Sequence, residues 1–172
     1  MCIRDRPDTP KIEELKTLTR DQDALVQMQT RLVNQLTACL KDYYPPALTL
    51  FTKLQQHSTL IFLQTYPTPQ MASAASIQDL EGTLRKGKHP NPSVVARTIH
   101  EALHQPHLIA KDTTVRTKSR LMLSLVKQLL VVVEDIAAYD KEIRTLFFYN
   151  SKLNLNWTIS SHGMEGRHPH AP

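Results

Sequence analysis

Between Val115 and Leu146, alternating steps of three and four residues land on Val115, Lys118, Met122, Leu125, Leu129, Val132, Ile136, Tyr139, Ile143 and Leu146, of which nine in ten are apolar. A recurrence held this long predicts one helix that lays a single seam against a partner helix, each side chain entering a hole opposite. At about 1.5 Å per residue the seam is roughly 48 Å long. Inside it lies the run Leu129-Leu130-Val131-Val132-Val133, whose β-branched residues disfavour helix and would suit a buried strand. The heptad phase crosses the run unbroken, so helix is expected throughout.

A second seam lies near the start of the chain. The same stepping from Leu15 gives Leu18, Gln22, Leu25, Gln29, Leu32, Leu36, Cys39 and Tyr43, seven of nine apolar. Two long heptad helices either close on each other antiparallel or pair with their twins in another chain. Gln22, Gln29 and Lys118 interrupt the seams, and such polar residues fix register or oligomer state or else mark a solvent gap.

Between the two rods the chain is punctuated by proline. Thr9 and Pro10 suit a cap and first helical position for a helix reaching about Tyr44, and Pro45-Pro46 stops it. Four short helices are expected next: one opened by Pro46 and ending near His57, one from a Ser58 cap over Leu60 to Tyr66, one from Ser76 to Gly87, and one from Asn91-Pro92 to Pro106. The last would hold Val94, Val95, Ile99 and Leu103 on its inner side. Met71 to Ala75 reads as a small-residue connection, and Asp112 as the cap of the second rod. Only four glycines, set among abundant Leu, Gln and Lys, argue for an all-α protein.

The expected organisation is therefore a start, 1–6, that is non-native or disordered, a helical coiled-coil domain over 7–148, and an irregular tail over 149–172. That tail holds the only Trp and ends in a His/Pro/Gly stretch with His162, His168 and His170. Cys39 falls on a heptad position, where a reduced buried thiol is expected, and a cytoplasmic location follows. The longest apolar run is five residues, too short to span a membrane.

One motif looks like chemistry. His100-Glu101-Ala102-Leu103-His104 satisfies H-E-x-x-H, in which two histidines on one helix face grip zinc and the glutamate activates a water. Pro106 breaks the helix two residues later, no third ligand is evident, and no strand is available to bind a substrate backbone. A zinc metallopeptidase centred on His100, Glu101 and His104 therefore ranks third, and no metal site is assigned. There is no G-x-S-x-G, no phosphate-cradling glycine loop and no C-x-x-C. Glu13-Glu14 and Glu134-Asp135 read as solvated or ion-paired helix residues.

The net charge of +5 and pI near 9.3 favour polyanionic partners, nucleic acid first. Its carriers cluster: Arg85, Lys86 and Lys88 at one helix end, Arg116, Lys118 and Arg120 at the start of the second rod, with Arg20, Arg31 and Lys41 flanking the first seam. These are the candidate nucleic-acid contacts. They would grip phosphate without reading sequence, and the plain alternative for each is a salt-screened surface.

With the helices placed, the wording becomes informative. Pro7-Asp8-Thr9-Pro10 followed by Glu14-Leu15-Lys16 and Leu18-Thr19-Arg20, then Arg31-Leu32-Val33-Asn34-Gln35-Leu36, Leu40-Lys41, Tyr44-Pro45-Pro46-Ala47-Leu48, Tyr66-Pro67-Thr68-Pro69 and the later Tyr139-Asp140-Lys141-Glu142-Ile143, resembles the DEDD-type insertion-sequence transposases, the bridge-RNA-guided recombinases. The likeness covers about 7–148. It implies a central coiled-coil region, preceded in that family by a nuclease domain with four metal-binding acids and followed by a domain with a nucleophilic serine. Ile159-Ser160-Ser161-His162-Gly163 departs from the Leu-Pro-Gly-type segment with which the serine domain begins. On this likeness the chain is a transposase fragment with no catalytic residue and no cofactor of its own. Mg would serve the missing nuclease domain, and DNA, a guide RNA and further copies of the chain would be the partners in a bacterial or archaeal cytoplasm. The alternative from another class is a stand-alone helical adaptor that binds protein.

Overall fold

The computed structural model describes residues 10–105 and 110–161, with side chains described as far as Phe148. Every regular element among them is a helix. In chain order these are α1 (Pro10–Tyr43), α2 (Pro45–Leu50), α3 (His57–Thr65), α4 (Pro69–Ser73), α5 (Ile77–Lys86), α6 (Pro92–Leu103) and α7 (Asp112–Ser161). None of them is long and apolar enough to cross a membrane.

The valine run in α7 is helical, as the unbroken phase requires. Several boundaries differ from expectation, among them the end of α2, which falls at Leu50 and not near His57. The irregular tail does not begin at 149, because α7 continues to Ser161. Between Phe148 and Ser161 the sequence has neither Pro nor Gly, so nothing stops propagation of a helix already nucleated. The tail histidines and Met1 to Arg6 lie outside the described residues, as does the Thr9 cap. Among the described residues there are five short helices between the rods, since the small-residue stretch contains α4, which the Thr68 hydroxyl caps by accepting from the Met71 N–H at 3.2 Å. Ser58 is not a cap either; it is buried in the first turn of α3, behind Gln56.

The chain divides into two compact units. One is Leu25–Asp135, which contains α2–α6, the second half of α1 and the first half of α7. Its core is apolar and closed: Leu36, Leu40, Leu60, Phe62, Leu63, Leu80, Leu84, Ile99, Met122 and Leu129 are all fully buried. Phe51, Phe62 and Tyr66 form a chain of tilted rings with centroids 4.9 and 5.3 Å apart, geometry that adds to their burial. On α6 the inward face is Ala96, Ile99 and Leu103, whereas Val94, expected inside, is 67% exposed. The helix is rotated so that residues three and four apart from Ile99 meet the core, which leaves Val94 on the outside.

Within this unit the two rods pair in one chain. Asp42 of α1 carries an ion pair at 2.5 Å to Lys118 of α7, and the Cys39 thiol donates to the Lys118 carbonyl at 3.4 Å. The Met122 N–H lies against the same thiol, so residues fall along α1 as they rise along α7 and the segments run antiparallel. Lys118 is thus a seam position whose charge is met by a carboxylate on the other helix. Burial pushes the Cys39 thiol above its usual range, which fits a reduced and unreactive group.

The other unit comprises 10–24 of α1 with the part of α7 from Ile136 onward. Here the heptad positions Leu15, Leu18, Gln22, Ile136, Tyr139, Ile143 and Leu146 are half-buried and nearly all their neighbours exposed. Among described side chains in this unit none is fully buried. A cavity of about 530 Å³ opens between Leu15 and Thr19 on one helix and Ile143, Arg144, Phe147 and Phe148 on the other. Arg144 pairs with Asp140 at 2.7 Å.

Two adjacent tyrosines at the end of α1 have opposite fates. The Tyr43 hydroxyl donates to the Pro67 carbonyl at 2.9 Å, whereas the Tyr44 hydroxyl is buried with no partner. Desolvation pushes both phenols well above their usual range. A buried hydroxyl without a partner costs about 1–3 kcal/mol, and a made bond contributes about 1 kcal/mol. Tyr44→Phe is therefore expected to stabilise the protein by about 1 kcal/mol and Tyr43→Phe to destabilise it by about as much, read as opposite shifts in the urea midpoint. Equal shifts in one direction would contradict the assignment.

Candidate nucleic-acid interface

The basic residues are positioned by two helix ends in the unit Leu25–Asp135. The first is the C-terminus of α5. This helix starts with a full capping box: the Ser76 hydroxyl accepts from the Asp79 N–H at 3.2 Å, and the Asp79 carboxylate accepts from the Ser76 N–H at 3.4 Å. It ends in a Schellman motif, in which the His89 N–H reaches the Leu84 carbonyl and the Lys88 N–H the Arg85 carbonyl, both at 3.0 Å.

The left-handed residue of that motif is Lys88, with φ 56°, and not the glycine beside it. Gly87 has φ −75° and is needed for another reason, since a Cβ there would lie 2.5 Å from the Ser58 Cα on α3. Close helix contact fixes the glycine at one position and leaves the lysine to take the αL turn. Lys86 and Lys88 are both exposed, at the helix end whose carbonyls favour cations. Arg85 is exposed but paired: its guanidinium meets Glu81 at 2.6 Å, and Glu81 also accepts from the Ser93 hydroxyl at 2.8 Å. Lys86 edges an open groove of about 630 Å³ whose walls include Tyr66, Ala74, Ala75, Gly82 and Thr83.

The second end is the start of α7, where the Val115 N–H takes up the Lys111 carbonyl and Asp112 is the first helical residue. Arg116 and Arg120, four apart on one face, are exposed. Lys118 points the other way, to Asp42, and that hydrogen-bonded carboxylate raises the lysine's pKa. Its charge is committed within the fold. Arg31 and Lys41 are exposed along α1, with the Arg31 Nε donating to the Gln27 carbonyl at 3.4 Å. Arg20 is exposed and belongs to the other unit.

Nine basic candidates thus separate into two whose charge is met by a carboxylate, Arg85 and Lys118, and a remainder that presents charge to solvent. Sequence inspection does not find Asp42 or Glu81 as the neutralising partners. The i,i+4 spacing of Glu81 and Arg85 was the one local signal; Asp42 reaches Lys118 only through the fold.

The H-E-x-x-H residues occupy the end of α6. His100 is half-buried, Glu101 and His104 are exposed, and the two imidazoles stack with centroids 4.2 Å apart. No group of three or more metal-ligating side chains occurs among the described residues. The chain matches no family model, no curated protein and no solved structure.

Proposed function

We propose that this chain is the helical module of a DEDD-type insertion-sequence transposase, holding DNA or guide RNA by its phosphates and helping copies of the protein assemble, while strand cleavage and its divalent metal belong to other domains of such proteins. The observation that carries the reading is the division of the cations. The fold sets a carboxylate against Arg85 and against Lys118, and presents Lys86, Lys88, Arg116 and Arg120 exposed at helix termini. The wording shared with that family over 7–148, and two long heptad helices where the likeness implies a coiled coil, support it further.

Lysine and arginine at these positions displace condensed counterions from a phosphate backbone, so affinity comes mainly from salt release and carries no base preference. If the four exposed helix-end cations each meet one phosphate, log K falls against log[salt] with a slope of about −3.6 on duplex DNA. Raising salt from about 50 to about 200 mM then weakens binding by roughly a hundredfold, measured by fluorescence anisotropy on unrelated duplexes that bind alike. Absence of binding to DNA and RNA at the lower salt would reject the reading in favour of a protein-binding adaptor.

A further inference from the structure

We propose that His100 and His104 form a two-histidine chelate for a borderline divalent transition-metal ion such as Zn²⁺ at the end of α6. The site is not a peptidase centre and stands independently of the nucleic-acid reading. Residues four apart share one helix face, and these two imidazoles lie with centroids 4.2 Å apart and planes 30° from parallel. With the ring centroids this close, rotation about the side-chain torsions can turn one nitrogen lone pair of each ring out of the stack toward a shared ion at Zn–N distances of about 2.0–2.1 Å.

The hydrogen bonding fixes the useful tautomer. The His104 Nδ1 lies 2.7 Å from the His100 carbonyl oxygen, which can only accept, so Nδ1 carries the proton. The Nε2 of His104 is then left with a lone pair. A ligating histidine held by a backbone carbonyl through its other nitrogen is the usual outer support of a metal site. His104 is exposed and His100 half-buried, so an ion reaches the pair from solvent and keeps water in its remaining positions. Bridging the last turn of α6 would hold the helix end closed at its C-cap, which is His104 itself.

The test uses the full chain with His107, His162, His168 and His170 replaced by Gln, which leaves His57 and His89 as the only histidines outside the pair. At about a hundredfold excess of zinc chloride over its Kd, Tm is expected to rise by about 5–10 °C. His100→Gln and His104→Gln in that background should each abolish the rise. A second readout does not depend on the stability of those variants: sub-stoichiometric Cu²⁺ should broaden the backbone amide NMR signals of residues 99–104 first. No rise in Tm, a rise that survives either substitution, or broadening that begins elsewhere would each overturn the proposal.

Discussion

Leu129→Ala is expected to destabilise the unit Leu25–Asp135 by about 3–4 kcal/mol, as a fall in the urea midpoint. Leu129 is fully buried at the centre of the α7 seam, amid Met122, Leu125, Val126 and Val132, which are also buried. Truncation removes the transfer free energy of the lost atoms and leaves a cavity that two long helices cannot collapse around without disturbing neighbouring turns. The comparison that gives this meaning is Val131→Ala two residues away. Val131 is 57% exposed, so it loses little burial and gains helix propensity, and its change should stay within about 0.5 kcal/mol. Similar losses at both positions would mean that the heptad phase does not set which side of α7 is inside.

Gly87→Ala is expected to cost about 3 kcal/mol, for a different reason. The added Cβ would meet the Ser58 Cα at 2.5 Å, its Cβ at 3.0 Å and its carbonyl carbon at 3.4 Å. Two of those atoms are backbone, so relief requires α3 and the end of α5 to separate, and the core side chains between them to loosen. The left-handed conformation plays no part, since Gly87 itself has φ −75°. Gly82 is the control. It lies inside α5, where an added methyl group would find nothing within 4 Å, so Gly82→Ala should stabilise by about 0.5–1 kcal/mol. A pair of glycines five apart, one inside α5 and one at its C-cap, would then shift stability in opposite directions under the same substitution.

The heptad seams were legible because periodicity reports directly on burial. Along α1 the residues that are not exposed between Lys11 and Gln29 are Lys11, Leu15, Leu18, Gln22, Leu25 and Gln29, which is the 3-4 stepping itself. Gln22 and Gln29 keep their seam places although polar, since the phase is set by the apolar residues around them. Pro10, Pro92 and the Ser76 cap likewise act locally and marked their helices correctly. What stayed hidden depends on distant partners. Nothing near Gly87 in sequence announces Ser58, nothing near Lys118 announces Asp42, and nothing near Tyr44 shows that its hydroxyl is left alone while Tyr43 reaches Pro67. Two of the nine candidate cations, Arg85 and Lys118, therefore carry a carboxylate partner in the fold. Basic residues read along a sequence do not separate a cation that the fold has already neutralised from one that still faces solvent.

That distinction is also what the functional account rests on, and one measurement tests it most directly: the salt dependence of duplex-DNA binding for Lys86→Gln/Lys88→Gln beside that for Lys118→Gln. The exposed pair should lower the slope of log K against log[salt] by about 2, one per lost phosphate contact, whereas Lys118→Gln should leave the slope unchanged because that lysine is held by Asp42. Identical slopes for the wild type and the Lys86→Gln/Lys88→Gln variant, or a loss at Lys118 as large as theirs, would contradict the account.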